Sequence, residues 1–238
     1  MKQTILFLFD LDGTLVTTGG AGLRALGKVF QELYNIQDVW SSINPSGKTD
    51  HAIFREIIHK FLDRPMSDNE IKPIAEKYIS YLDHEINSTP HHVKPLKGVI
   101  EFLDECKKKT HIFSALGTGN LEQGARIKLK PTGLNDYFEL GGFGSDAEAR
   151  YEVLKAGHAK VEEKLGATIH PDYVFVLGDT ILDVSAARKA QFKAVAIASG
   201  GSSYAELERS KPDFLFQDMN DALKLLDAID NLDTLTPA

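Results

Sequence analysis

Residues 5–15 read ILFLFDLDGTL, and this stretch decides how the chain is organised. The residues Ile5–Phe9 are all apolar, and the run ends abruptly at a polar turn containing two aspartates and a glycine. A short apolar run bounded by a turn signal is typical of a strand buried on both faces of a parallel sheet. We therefore predict a strand over residues 4–9, with Asp10 and Asp12 at its carboxyl end.

Four similar apolar runs follow, at residues 111–116, 173–177, 193–198 and 214–216. Helical patterns separate them or follow the last of them, at 98–109, 121–129, 147–165, 182–190, 204–210 and 219–229. Strands that alternate with amphipathic helices indicate an α/β fold with a doubly wound, mainly parallel, Rossmann-like sheet. Ligands bind beyond the carboxyl ends of the strands in such sheets, so the polar clusters that follow the runs are expected to converge.

Residues 19–87 break this alternation, because their pattern is helical at 22–34, 50–61 and 68–86 without an apolar strand between. We expect an α-helical cap inserted after the first strand. The predicted division is a core of residues 1–16 and 94–230, a cap of residues 17–93 and a flexible tail of residues 231–238.

Charge and composition exclude several classes of function. The chain has 238 residues, with 27 Lys and Arg against 34 Asp and Glu, for a net charge of −7. An acidic balance argues against a general nucleic-acid or membrane-surface binder. Cys106 is the single cysteine, so no disulfide forms within the chain, and a reducing cytoplasm fits. We expect a cytoplasmic monomer or homodimer without nucleic-acid or membrane partners.

Two acidic pairs follow predicted strands. Asp10 and Asp12 follow the first, while Asp179 and Asp183 follow the strand at 173–177 and lie about one helical turn apart. Neighbouring carboxylates repel each other unless a cation or a shared proton compensates. Oxygen ligands suit hard divalent cations, so the sequence predicts a Mg²⁺ site at this edge of the sheet.

A third polar cluster, Gly117-Thr118-Gly119-Asn120, follows the strand at 111–116 where a helix is predicted to begin. Free N–H groups and the helix dipole favour an anion such as phosphate there. Taken alone, the same cluster is also a common helix start.

In this order the three clusters resemble the haloacid dehalogenase superfamily of hydrolases, and most of all its phosphoglycolate phosphatase and β-phosphoglucomutase branches. The resemblance rests on the run from Asp10 to Thr14, on the strand that ends at Thr118, and on Gly178, Asp179 and Asp183. The predicted helical insert is similar to the family's small cap domain.

The resemblance implies a role for each matching residue. Asp10 would attack phosphorus and form an aspartyl-phosphate, and Asp12 would act as general acid and then general base. Mg²⁺ would be held by Asp10, the backbone carbonyl of Asp12 and Asp179, with Asp183 bound directly or through water. Thr118 and the N–H groups of Gly119 and Asn120 would bind the transferring phosphoryl oxygens.

The match to the family's motifs is weaker at the basic residues. The family has a lysine upstream of its last motif, and here Arg150 stands 29 residues before Asp179, with Lys128 as the rival. Arginine binds phosphate bidentately but is not a neutral replacement for lysine. In the cap, Lys48 and Arg24 are candidates for binding the substrate, and each is equally consistent with a solvated basic residue.

The function implied by the resemblance is Mg²⁺-dependent hydrolysis of a small phosphorylated metabolite. A phosphomutase of the β-phosphoglucomutase type is the first alternative, since it would share Asp10, Asp12 and the metal. A dehalogenase, a phosphonate hydrolase and a non-enzymatic phosphate-ligand binding module are further alternatives.

Overall fold

A computed structural model describes residues 3–230 of the chain. The strands of this part are β1 (Ile5–Phe9), β2 (Val16–Thr17), β3 (Lys94–Pro95), β4 (Ile112–Gly117), β5 (Gly141–Gly142), β6 (Val174–Gly178), β7 (Lys193–Ile197) and β8 (Phe214–Phe216). The α-helices are α1 (Ala21–Tyr34), α2 (Asp50–Leu62), α3 (Asp68–Ser88), α4 (Val99–Lys108), α5 (Glu122–Leu129), α6 (Arg150–Leu165), α7 (Ile181–Ala190), α8 (Tyr204–Arg209) and α9 (Leu223–Asp230).

Six parallel strands form the main sheet, in the order β5-β4-β1-β6-β7-β8. The chain moves outward from β1 in one direction to β4 and β5, then in the other to β6, β7 and β8. The predicted doubly wound α/β fold is confirmed.

Strand β1 lies at the centre of the sheet, paired with β4 on one side and β6 on the other. Phe7 and Phe9 face an apolar cluster that includes Phe102 of α4, while Leu6 and Leu8 face the opposite cluster, which includes Leu154 of α6. All five side chains of the strand are buried. This explains why the strand is apolar at every position, without the alternation of a half-exposed strand.

The helices α1, α2 and α3 pack around an apolar cluster of their own, which includes Leu26, Phe30, Phe54 and Tyr78. The chain leaves β1 for these helices through β2 and returns through β3, and the two short strands pair antiparallel with each other. The exact limits 1–16, 17–93 and 94–230 stay a prediction about domains. The predicted tail at 231–238 lies outside the described residues.

Sequence patterns do not predict β5, because two glycines make no apolar run. The strand is recognisable through its pairing with β4 and through the bond from the Thr118 N–H to the Gly142 carbonyl, 3.1 Å long. The last helix begins at Leu223, four residues after the predicted start. No helix of residues 3–230 is long and apolar enough to cross a membrane.

The close packing of α6 on β5 generates a stability prediction. A Cβ on Gly142 would lie 1.9 Å from the Val153 carbonyl oxygen, a backbone atom that cannot move aside alone. We expect Gly142→Ala to destabilise the protein by about 3 kcal/mol, because the overlap forces the helix away from the sheet. Urea unfolding followed by circular dichroism measures the change.

Gly27→Ala is the matched control, because a Cβ at this position on α1 meets its nearest atom at an ordinary 3.6 Å. Alanine is the better helix former by about 0.5–1 kcal/mol, so this variant should be slightly more stable than the parent. Equal stability of the two variants would contradict the packing argument.

Candidate active site

The carboxyl ends of β1, β4 and β6 meet at one rim of the sheet, below the helices α1, α2 and α3. A cavity of about 580 Å³ separates the rim from these helices. Asp10, Asp12, Asn120, Arg150 and Asp179 line its floor, so the sheet brings the predicted clusters together.

Three buried carboxylates lie closest together, those of Asp10, Asp179 and Asp183, with oxygen atoms within 4.8 Å of one another. Asp179 accepts hydrogen bonds from the Thr14 hydroxyl, at 3.0 Å, and from the N–H of Gly201. Asp183 lies in the first turn of α7, where its Oδ2 accepts from the N–H and hydroxyl of Thr180 at 3.0 and 2.6 Å. The loops around the rim therefore fix the direction of two of the three carboxylates.

Gly13 shows why the turn after Asp10 needs a glycine. Its φ of 82° is left-handed, and a Cβ would lie 2.3 Å from Oδ2 of Asp179. Any other residue would be strained and would also displace a carboxylate of the cluster.

Arg150, the first residue of α6, stands between Asp10 and Asp183. Its Nη2 lies 2.7 Å from Asp10 Oδ1 and 2.5 Å from Asp183 Oδ1, and its Nε donates to the same Asp183 oxygen at 2.7 Å. Burial alone would lower the pKa of the guanidinium, but the two carboxylates outweigh burial and raise it. The arginine is therefore a fixed positive charge beside Asp10.

One guanidinium does not compensate three carboxylates. Burial raises the pKa of Asp10 from 3.8 to about 6, although Arg150 opposes the shift. Burial, followed by repulsion from Asp10 and Asp183, raises the pKa of Asp179 to about 7. Three negative charges and one positive charge leave two uncompensated, and all the donors are oxygen atoms. The cluster fits a divalent cation of the Mg²⁺ type in both charge and ligand chemistry.

The Asp12 carboxylate is not part of this cluster and is bound by residues of α5 and of the loop after β4. Its Oδ2 accepts from Lys128 Nζ at 2.6 Å and from Asn120 Nδ2 at 2.9 Å. Asn120 Nδ2 also donates to the Thr118 hydroxyl oxygen at 2.9 Å, and its Oδ1 accepts from Lys128 at 2.6 Å. One network thus joins the end of β1 to the end of β4. A metal contact through the Asp12 backbone carbonyl stays a prediction.

Lys128 and Arg150, rivals in the sequence, take different positions in the site. Arg150 lies at Asp10, while the Lys128 side chain is 5% exposed and lies at Asp12. Burial alone would lower the pKa of Lys128, but Asp12, with Tyr78 and Asp50, raises it. Sequence periodicity could have shown this, because Lys128 shares the inward face of α5 with Gly124, Ala125 and Leu129.

Asp50 is a buried site residue that the sequence patterns do not reveal, because an aspartate at the start of a helix is common. Its Oδ2 accepts from the Leu121 N–H at 2.8 Å, and its own N–H donates to the Gly119 carbonyl at 2.8 Å. Burial raises its pKa to about 6, with Lys128 opposing the shift. The residue attaches α2 to the loop that carries Thr118, Gly119 and Asn120.

The two basic candidates of the cap, Lys48 and Arg24, are both ion-paired with glutamates of the cap, and their binding of substrate stays a prediction. Lys48 lines the cavity but is ion-paired with Glu56. Arg24 does not contribute to the lining; its Nε binds Glu85 at 2.7 Å and its Nη1 donates to the Gly19 carbonyl at 2.6 Å. The cap also lines the cavity with an apolar group of side chains, which includes Leu23, Leu26, Trp40 and Ile53.

A family model described as haloacid dehalogenase-like hydrolase matches residues 7–197, which include the whole rim. The chain belongs to this family. It is therefore an enzyme of a hydrolase family.

Curated relatives cover almost the whole chain. Pyrophosphatase PpaX of Bacillus cereus is 27% identical over 229 residues, which span 92% of this chain and 94% of the relative. Phosphoglycolate phosphatase of Aquifex aeolicus is 27% identical over 225 residues, which span 92% of this chain and 95% of that protein.

Solved structures share the fold. A hydrolase from Pseudomonas syringae superposes with a TM-score of 0.72 at 23% identity, over 95% of this chain and 99% of that one. A β-phosphoglucomutase from Clostridium difficile superposes with a TM-score of 0.73 at 18% identity, over 98% and 100%.

The charge of the cluster generates a prediction about Mg²⁺ and pH. The folded pKa values of Asp10 and Asp179 lie above 3.8, so the stability linked to their protons is lost as the pH rises through about 6 to 7. A divalent cation binds the ionised carboxylates and restores that stability. Saturating Mg²⁺ should raise the melting temperature by about 5 °C at pH 8 and by much less at pH 5. Differential scanning calorimetry measures both increments.

Asp179→Asn should abolish most of the Mg²⁺ increment at pH 8. Asp63→Asn is the matched control, because Asp63 is exposed and its φ of 49° suits asparagine. An increment that is equal at both pH values, or that survives in Asp179→Asn, would contradict the assignment of the cluster.

Proposed function

We propose that the protein is a Mg²⁺-dependent phosphatase that hydrolyses a small phosphate monoester through an aspartyl-phosphate on Asp10. The observation that supports it best is the position of Asp10, at the end of the central strand, in contact with Arg150 and within 4.8 Å of the carboxylate oxygens of Asp179 and Asp183. The phosphatase names of the curated relatives point in the same direction.

Repulsion between a carboxylate and a phosphate dianion is the first obstacle to the reaction. Asp10, Asp179 and Asp183 would hold Mg²⁺, which would neutralise charge on the phosphoryl oxygens and on the nucleophile. Arg150 also compensates the charge of Asp10, at 2.7 Å. The Thr118 hydroxyl and the N–H groups of Gly119 and Asn120 would orient the phosphoryl group for in-line attack.

In the first half-reaction an Asp10 oxygen forms a bond to phosphorus as the ester P–O bond breaks. The departing alcohol oxygen takes its proton from Asp12, which would act as general acid. In the second half-reaction Asp12 removes a proton from water, the water oxygen bonds to phosphorus and the bond to Asp10 breaks. Inorganic phosphate and an unmodified Asp10 remain.

Lys128 and Asn120 would keep Asp12 in position for both proton transfers. Their bonds of 2.6 and 2.9 Å to one oxygen of Asp12 leave its other oxygen for the substrate or water. The Asp12 side chain is 43% exposed, so water reaches it from the cavity. Arg150 would thus compensate the charge of the nucleophile Asp10, and Lys128 would position Asp12, the general acid and base.

The cavity favours hydrolysis over the phosphomutase alternative. A mutase of this type must bind a second phosphate away from the reacting one. In the described lining, the cations Lys48, Lys128 and Arg150 are already paired with carboxylates. Inorganic phosphate is therefore the expected product.

Asp10→Asn tests the nucleophile. We expect release of p-nitrophenol from p-nitrophenyl phosphate with Mg²⁺ to fall at least about 10³-fold, because an amide is a far weaker nucleophile than a carboxylate. Circular dichroism should show an intact fold, since asparagine has the same size. Asp63→Asn should keep full activity, and full activity in Asp10→Asn would disprove the mechanism.

Asp12→Asn tests the general acid through the leaving group. An alkyl phosphate needs a proton on its departing oxygen, whereas p-nitrophenolate leaves without one. We expect kcat/KM to fall about 10³-fold for an alkyl phosphate and clearly less for p-nitrophenyl phosphate. Asparagine can still accept the bond from Lys128, so an equal loss on both substrates would point to a structural role instead.

A further inference from the structure

The cations of the cavity are all engaged within the protein. Among the described residues, the cationic side chains of the lining belong to Lys48, Lys128 and Arg150. Lys48 is paired with Glu56, Lys128 with Asp12, and Arg150 with Asp10 and Asp183. A second anionic group on a substrate would have to break one of these pairs.

The total charge of the lining also opposes a second anion. Asp10, Asp12, Asp50 and Asp179 supply four carboxylates against the three cations, which leaves one negative charge. A divalent cation changes this to one positive charge. The dianion of a single phosphoryl group already exceeds that charge, so a further carboxylate or phosphate would be repelled.

Above the rim, one part of the cavity wall is apolar, beside polar lining residues that include Thr18, Ser46 and Tyr78. Leu26 and Ile53 are buried, and Leu23 is 40% exposed at the mouth. Trp40 also lines the cavity, and its indole N–H is already bonded to the Leu23 carbonyl at 3.0 Å. Leu23, Leu26, Trp40 and Ile53 together gain free energy when they cover apolar surface, and these four side chains offer no free partner to a desolvated charge.

We propose that the leaving group of the substrate is an uncharged alcohol with apolar surface, aryl or alkyl, and that it lies against Leu23, Leu26, Trp40 and Ile53. This inference rests on the proposed phosphatase function and names its substrate class. Pyrophosphate and phosphoglycolate belong to a different class. The leaving group of pyrophosphate is itself a phosphate, and the leaving group of phosphoglycolate carries a carboxylate.

The first measurement compares phenyl phosphate with 4-carboxyphenyl phosphate, which differ by one carboxylate. That carboxylate makes the phenolate a slightly better leaving group, so intrinsic reactivity favours the charged substrate. We expect the enzyme to reverse this order and to prefer phenyl phosphate in kcat/KM by about tenfold or more. Along the series from methyl to hexyl phosphate, kcat/KM should rise with chain length.

The second measurement places a free cation in the wall. Leu23→Arg adds a guanidinium at the mouth, and it should reduce the preference for phenyl over 4-carboxyphenyl phosphate by about tenfold. Leu165→Arg is the matched control, because Leu165 is also 40% exposed but ends α6 outside the cavity lining. This control should keep the parent preference.

The possible outcomes separate the two proposals. Faster turnover of 4-carboxyphenyl phosphate, phosphoglycolate or pyrophosphate than of phenyl phosphate would overturn the substrate class and leave the phosphatase standing. No phosphate release from any of these compounds or from p-nitrophenyl phosphate, with Mg²⁺ present, would overturn the phosphatase itself. Identical preferences in Leu23→Arg and Leu165→Arg would overturn the assignment of the apolar wall. A kcat/KM of the parent enzyme that does not rise from methyl to hexyl phosphate would overturn it as well.

Discussion

Repulsion among the carboxylates of Asp10, Asp179 and Asp183 is the constraint that shapes this molecule. The three groups lie within 4.8 Å of one another, out of contact with bulk water, beside the guanidinium of Arg150. Such a cluster is costly to bury unless opposite charge compensates it. Pairing of β1 with β6 fixes the distance between Asp10 and Asp179, and the first turn of α7 fixes Asp183.

Two separate electrostatic environments result from this arrangement. Burial raises the pKa of Asp10, which lies beside Arg150 in the carboxylate cluster, whereas Asp12 is bound by Lys128 and Asn120. Two carboxylates only two residues apart can therefore take different chemical parts. Residues i and i+2 of a strand share one face of the sheet. Asp10 and Asp12 follow the end of β1, where the chain turns at Gly13, and their carboxylates have different neighbours.

The sequence was sufficient for five of the six strands of the main sheet and for the carboxylates that follow β1 and β6, because a buried parallel strand and the turn after it leave a local signal. β5 left no such signal, since its two glycines are defined by contact with α6 and β4. Asp50 and Lys128 were underestimated for a similar reason: their partners lie on other elements, 71 and 116 residues away along the chain. Arg24 was proposed from its charge alone, and its contact with Glu85 depends on how α1 packs against α3.

The ribbon of β2 and β3 has a consequence for how such a protein can diversify. Val16 pairs with Pro95 and Thr17 with Lys94, so the chain leaves the sheet and returns to it at the same place. A segment whose two ends are neighbours can be lengthened, exchanged or recombined without shifting the register of the strands below it. The helices above the rim can thus change over evolutionary time while the carboxylate cluster beneath them is inherited intact.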